Sequence, residues 1–281
     1  MVNIGKLWLF IVVAFFSAAA VSAQDLKPEA LVANHLEAIG KKDVRDGLKT
    51  LFAVGVSEFE SRIPVVKGGG KAIVVSDPEN LFFVISLNSK EYPFEKIGYF
   101  GGKANLPFIS AGRRSLLGLF INENERILSD GLFGGSMSLH WALLDPETRK
   151  AKLKSAGMKK IDGKKLYALD YFTSNGGSTD FTIRLFFDEK FNHVRSEYRR
   201  EVVQKEGTFG QANLRASAVI LLTEEFSDFR SVDGITLPYA YKVDFSSNSN
   251  SSSNENIWRI KVEQYYYNQK LAPDFFTFDV K

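Results

Sequence analysis

The sequence predicts a mainly β (α+β) protein, a curved antiparallel sheet or incomplete β-barrel with helices covering its concave face. Three observations predict it. From Leu48 onward the apolar residues recur at every second position in run after run, the period of a half-buried strand. Helical patterning is confined to one segment near the start and one in the middle, which excludes the regular alternation of a parallel α/β fold. Aromatic residues make up 13% of the chain, with 24 Phe concentrated in the strand-like runs and the covering segments, enough for a large core.

The first residues read as a secretory signal. Lys6 gives a small positive start, Leu7 to Phe16 is an unbroken apolar run, Ala18 to Ala20 continue it, and Val21-Ser22-Ala23 offers small residues for cleavage before Gln24. A spanning helix needs about 20 predominantly apolar residues, and this run is shorter. The expectation is a signal peptide over 1–23, cleaved near Ala23, and a single β-rich domain over 24–281 in the periplasm or secreted. The 281-residue chain has no Cys, so disulfides, thiolate metal sites, a cysteine nucleophile and an acylated lipobox cysteine are excluded. The formal charge of +3, or +2 without Lys6, is too even for a polyanionic partner, and no nucleic acid is expected.

Asp25 to Gly40 is predicted as an amphipathic helix, with Pro28 in the first turn, Leu31, Val32, His35, Leu36 and Ile39 on one face, and Gly40 as the stop. An antiparallel meander follows over 49–60, 71–76 and 80–87, with Gly68-Gly69-Gly70 and Asp77-Pro78 as turns. Residues 113–129 hold a helix with Leu116, Leu117, Phe120 and Ile121 as its apolar face. The Gly-rich stretch 131–144 is apolar without clean periodicity and reads as an irregular segment lying over something hydrophobic.

In the second half, Asp162-Gly163 between Met158–Ile161 and Lys164–Tyr171 marks a hairpin, and another turn or wide loop is expected at Ser174–Ser178. In 181–187, Ile183, Leu185 and Phe187 share a side and Arg184 takes the other. Strands continue over 193–203 and 216–231. Over 235–245, Ile235, Leu237, Tyr239, Tyr241, Val243 and Phe245 form one stripe, and over 257–267 Trp258, Ile260, Val262 and Tyr266 form another. The polar run 246–256 between them is expected as a hairpin loop. Pro273 to Phe278 is expected to tuck two or three Phe under the sheet. These segments amount to nine to twelve strands.

The tests for chemistry return nothing. There is no H-E-x-x-H and no G-x-S-x-G. Of the three histidines, His35 and His140 are expected to be packed, with His140 also able to line a cavity, and His193, after the Asn192 turn, is expected in solvent. No metal, cofactor or catalytic residue is assigned. Gly68–Gly70, Gly134-Gly135 and Gly176-Gly177 lack the helix start or Lys-Ser/Thr of a phosphate loop and read as turns. Glu224 and Glu225 sit next to one another in a strand and so point to opposite faces. The basic stretch Arg149–Lys165, eight Lys or Arg against Asp162, reads as a lysine-defended hairpin edge, or else as a surface for anionic headgroups or an acidic partner.

His35–Gly40 (HLEAIG), Ile127–Gly135 (ILSDGLFGG), Leu185–Asp188 (LFFD) and Asp228–Tyr239 (DFRSVDGITLPY) resemble the outer-membrane lipoprotein-sorting (LolA/LolB-like) superfamily of bacterial exported proteins. The resemblance implies an incomplete antiparallel barrel plugged by helices and holding acyl chains or another apolar group. The chain is longer than the compact carriers of that family and has no lipobox cysteine. Arg113 and Arg114 lie near the expected cover, and neither is assigned the carriers' lid-locking role.

The resulting expectation is a non-enzymatic carrier or binding protein for lipid, lipoprotein acyl chains or another hydrophobic ligand. Phe83, Ile85, Leu185, Phe187, Tyr239, Tyr241, Trp258 and Ile260 are the candidate ligand-binding residues on the inner face. A lipid-modified protein, the membrane surface or an envelope protein are the expected contacts. Two alternatives stay open: an envelope protein-interaction module without a cavity, and a hydrolase with an unrecognised site.

Overall fold

The computed structural model describes residues 26–62, 65–174, 181–203, 217–248, 253–272 and 274–278. The expected leader, most of the expected turn or loop at Ser174–Ser178, and Pro273 lie outside them. Two short helices open the described chain, α1 (Pro28–Ile39) and α2 (Lys42–Asp46). Five strands follow: β1 (Leu51–Arg62), β2 (Val65–Ser76), β3 (Leu81–Ser86), β4 (Phe94–Phe100) and β5 (Lys103–Asn105). A covering segment carries α3 (Leu116–Glu123), α4 (Arg126–Ser129) and single 3-10 turns at Gly135–Met137 and Ala142–Leu144. Seven strands complete the fold: β6 (Lys152–Ile161), β7 (Lys164–Phe172), β8 (Phe181–Phe187), β9 (His193–Val203), β10 (Ser217–Val232), β11 (Ile235–Asn248) and β12 (Ser253–Tyr267).

The 12 strands form one antiparallel sheet in the order β5-β4-β3-β2-β1-β12-β11-β10-β9-β8-β7-β6. Pairing of β1 with β12 at the centre joins two meanders and leaves β5 and β6 as the outer edges. The chain must therefore pass from one edge to the other between β5 and β6. It does so across the concave face, and this topology is why the non-strand residues of the middle lie over the inner surface. Ile121, Ile127, Leu128, Leu132, Phe133 and Trp141 of this crossing are all at most 1% exposed. The helix α1 packs beside it, against β11, β6 and the second 3-10 turn.

The inner stripes fall as alternation predicts. Ile235, Leu237, Tyr239, Tyr241, Val243 and Phe245 are all buried. So are Ile183, Leu185 and Phe187, while Arg184 faces out and pairs with Asp170 at 2.6 Å. The outer face is laced with charge: Arg195 bridges Glu197 (2.7 Å) and Glu225 (2.5 Å), and Lys242 reaches Glu225 (3.4 Å) and Asp244 (3.2 Å). Asp162 and Gly163 take φ of 49° and 80°, the left-handed pair of a tight hairpin turn. Phe275, Phe276 and Phe278 do pack on the sheet, on its outer side against Phe52, Phe82 and Phe100.

Several expectations are corrected. Gly68–Gly70 is not a turn but lies inside β2, paired with Ser57, Glu58 and Phe59. Glycine itself is needed there because a Cβ on Gly68 or Gly70 would stand 2.5 Å from a carbonyl oxygen of Leu87 or Ser86. Residues 246–248 and 253–255 are strand, paired Ser246↔Glu255 through Asn248↔Ser253, so polar composition did not shorten the hairpin. Tyr266 is 44% exposed and Tyr265 is buried instead, because an extra residue, Glu263, bulges opposite Val54/Gly55 and flips the phase. Leu116 is 46% exposed, and the buried face of α3 is Leu117, Gly118, Phe120 and Ile121. His193, expected in solvent, is fully buried, and the crossing segment covers the concave face as expected.

Candidate functional site

A largely apolar cavity lies between the β1–β2 hairpin, the strand β12 and the first part of the crossing segment. It measures about 430 Å³, within the range of small-ligand sites. Phe59 of β1, Trp258 of β12 and Tyr92 before β4 form its wall, with Phe59 in contact with both partners at ring separations of 4.9 and 5.3 Å. Ile109 and Leu116 of the crossing segment and Val66 of β2 add apolar surface, and Arg113 and Glu91 stand exposed at the mouth. Leu116, which lines it, is 46% exposed, and Phe108 and Leu119 of the same segment are 48 and 44% exposed.

Behind the wall lies a buried carboxyl. Glu95 alternates with Ile97 along β4 and so turns inward, where it is 2% exposed. The Tyr92 hydroxyl donates to Glu95 Oε2, and Ser115 Oγ donates to Glu95 Oε1 at 2.9 Å. Each hydroxyl is also an acceptor: Trp258 Nε1 donates to Tyr92 at 3.2 Å, and the Gly118 N–H donates to Ser115 Oγ at 2.8 Å, capping α3. Burial pushes the Glu95 carboxyl up to about 7, against the opposing pull of the Tyr92 and Ser115 hydrogen bonds.

A second buried carboxyl pins the crossing segment to the sheet further in. Glu224 of β10 is fully buried and accepts from the Gly134 N–H at 2.7 Å, from the Tyr241 hydroxyl, and from the Tyr198 hydroxyl at 2.7 Å. Burial pushes it, too, up to about 7. Glu225 faces out, as neighbours in a strand must.

His193 stacks on Trp141 at 4.6 Å and meets His35 at 6.2 Å, so two of the three histidines come together in the core. Burial lowers both, His35 to about 4 and His193 well below its usual value, so each is a neutral packing group. His140 is buried as expected, its ring nitrogens 3.0 Å from Pro78 O and 2.9 Å from Leu128 O. Among the described residues no group of three or more His, Asp or Glu is placed to hold a metal ion, and no helix is long and apolar enough to cross a membrane.

All eight sequence-predicted residues turn inward, each at most 8% exposed. Trp258 alone among them borders the rim cavity. Phe83 meets Phe133 of the crossing segment at 5.2 Å and Tyr241 at 6.2 Å, Phe187 packs on His35 and His193, and Tyr239 lies edge-on to Tyr265. Sequence reasoning missed Phe59, Tyr92 and Glu95. For Glu95 the signal was present, an acid in phase with Ile97 inside a strand.

No protein-family model matches the sequence, and no curated protein does. Solved structures are similar to it at a distance. A LolA superfamily protein from Nitrosomonas europaea is 13% identical, with 90% of this chain and 99% of that one covered and a TM-score of 0.49. A DUF1329 family protein from Desulfovibrio piger is 14% identical over 90% and 98% of the two chains, with a TM-score of 0.42. A putative outer membrane lipoprotein-sorting protein domain from Vibrio parahaemolyticus is 10% identical over 87% and 95%, also at 0.42.

Proposed function

We propose that this chain is an exported, periplasmic, non-enzymatic binding or carrier protein that shelters an apolar ligand, a lipid or acyl chain, at the rim of its concave face. The observation that carries the reading is the cavity between Phe59, Tyr92, Trp258 and Leu116, walled by large apolar groups and open at an exposed apolar lip. Burial of each CH₂ there is worth about 0.8 kcal/mol, so a short stretch of tail gives useful affinity. The inner-face residues Phe83, Ile85, Leu185, Phe187, Tyr239, Tyr241 and Ile260 would join the site only if the crossing segment moved aside. The leader-like start of the sequence supports export.

Organic extraction of the purified protein followed by mass spectrometry tests this, together with titration by a brominated fatty acyl probe. Co-purifying lipid and quenching of Trp fluorescence that is lost in Trp258→Phe are expected. A clean extract with no quenching at any probe concentration would end the proposal. A second reading, an envelope interaction module, draws on the exposed Phe108, Leu116 and Leu119; it predicts that Leu119→Ser abolishes a protein contact and leaves lipid content unchanged.

A further inference from the structure

Charge on this molecule is separated rather than mixed. Between Lys150 and Lys165 the chain has seven lysines and one acid, Asp162, a net +6; since the chain without Lys6 is +2, the rest carries −4. Lys150 precedes β6, Lys152, Lys154, Lys159 and Lys160 lie in it, and Lys164 and Lys165 open β7. All seven are exposed, and among the described residues none makes an ion pair. Arg149, just before them, is committed inward, donating to Ser129 O and His140 O at 3.0 and 2.9 Å. The neighbouring strands differ: Arg184, Arg195, Arg199 and Arg200 of β8 and β9 each reach a carboxylate at 2.9 Å or less.

Defence of an open sheet edge accounts for part of this. β6 is an outer edge, and lysines along it discourage pairing with another chain. Lys164 and Lys165 need another reason, because they lie on the interior strand β7 with its β6 side already paired. Lys160 and Lys165 stand directly opposite each other across that ladder. Like charges so placed destabilise a sheet. Asp188 and Glu189 of the β8–β9 turn, with Lys190, share a cleft with Lys164 and Lys165 without pairing to them. The repulsion is left for an external anion to relieve.

Alternation spreads the lysines around the hairpin. Residues opposite one another share a face, so Lys152, Lys154 and Lys159 lie with Phe172, Asp170 and Leu166 on the outer side, as Lys164 does, and Lys160 and Lys165 lie on the inner. An edge charged on both sides suits a plane of many anions met edge-on. All seven are Lys rather than Arg, compact point charges on flexible stems. Lys is depleted from protein–protein interfaces, where Arg is enriched. Phe172, 43% exposed opposite Lys152, adds a large apolar side chain to the same edge.

We infer that the β6–β7 hairpin is a docking surface for an anionic lipid bilayer, whether or not the rim cavity holds a ligand. The surface potential of such a membrane acts on each lysine that comes within a screening length. The −4 of the remaining chain turns the other side of the molecule away.

Co-sedimentation of the leader-free chain, whose described fold starts at residue 26, tests this with two kinds of vesicle. One is phosphatidylcholine alone, the other equal parts phosphatidylcholine and phosphatidylglycerol, and binding to the second only is expected. Raising salt from about 0.1 to 1 M, which shortens the screening length from about 10 to 3 Å, should release the protein. Each lysine near a charged surface is worth roughly 5-fold in binding, so Lys159→Gln, Lys160→Gln, Lys164→Gln and Lys165→Gln combined should weaken it at least about 100-fold. The same change at Lys71, Lys103, Lys261 and Lys270, exposed on β2, β5 and β12 and just after it, gives an equal net charge and should weaken it only a few-fold. Equal losses in the two sets would reduce the effect to net charge and overturn the docking surface. Binding to both kinds of vesicle, insensitive to salt, would overturn it too, moving the contact to the exposed Phe108, Leu116 and Leu119. Retention on immobilised polyglutamate without binding to anionic vesicles would replace the bilayer with an acidic protein partner. Binding to neither would return the lysines to edge defence. Should the fourfold hairpin variant not fold, the headgroup and salt dependence of the wild-type protein decides alone.

Discussion

Trp141 Nε1 donates to His35 Nε2 across 3.0 Å, which leaves the His35 proton on Nδ1, 2.9 Å from the Phe191 carbonyl it is given to. The imidazole thus ties the crossing segment to α1 and to the β8–β9 turn at once, and only its neutral form with that tautomer makes both bonds. His35→Ala would strand a buried indole N–H and a carbonyl and open a cavity. A loss of about 3 kcal/mol is expected from those two costs, read as a lowered urea midpoint with unchanged slope.

The buried titratable groups set the pH range of stability. Glu95 and Glu224 have folded values near 7 against an ordinary 4.5, so their contribution is fully present below 4.5 and is lost as pH rises through about 7. His35, at about 4, and His193 are lowered from 6.5, so theirs is present above 6.5 and is lost as pH falls toward 4. Between about 4.5 and 6.5 the two pairs oppose each other. Thermal unfolding from pH 4 to 9 should therefore show a broad maximum there, falling on both sides. Glu224→Gln should flatten the alkaline side; an unchanged alkaline limb would show that Glu224 does not titrate in this range.

The strands were legible where alternation runs unbroken, as along Ile235–Phe245, because a half-buried sheet writes its period directly into the sequence. What was not legible turns on single-residue insertions. Phe187 pairs with His193 while Phe186 pairs with Arg195, so Val194 is extra, and this bulge turns His193 inward. Glu263 does the same to Tyr265 and Tyr266. No local composition marks either bulge. The rim cavity was hidden for another reason: its wall comes from β1, β12 and the loop before β4, which meet only because β1 closes on β12 across the whole length of the chain.

Gly131 is the tightest point of the crossing segment. Its φ is +73°, and a Cβ there would stand 1.7 Å from the His140 carbonyl oxygen. Its own carbonyl accepts from the Ala142 N–H at 2.9 Å. Gly131→Ala meets both the left-handed backbone and a backbone clash that no side chain can relieve. A loss of at least about 3 kcal/mol is expected from that combination, measured by chemical denaturation, whereas Gly134→Ala, with open space around its Cβ, should lose no more than about 1 to 2 kcal/mol from its φ of +82° alone.

The phase of α3 gives the last prediction. Phe120 is 3% exposed, edge-on to Phe181 at 6.2 Å and to Phe245 at 5.6 Å, while its neighbour Leu119 is 44% exposed. Ser115 fixes this rotation by capping the helix through the Gly118 N–H and holding Glu95 with its own proton. Phe120→Ala should cost about 3 to 5 kcal/mol, the usual range for a buried ring, and Leu119→Ala within about 0.5 kcal/mol, as at other surface positions. Ser115→Ala removes a cap and one of the two donors to a buried carboxyl, and about 1 to 2 kcal/mol is expected. Denaturant midpoints of the three variants order the effects. Comparable losses at Leu119 and Phe120 would mean that α3 sits on the sheet through a different face, with Leu119 rather than Phe120 against Phe245.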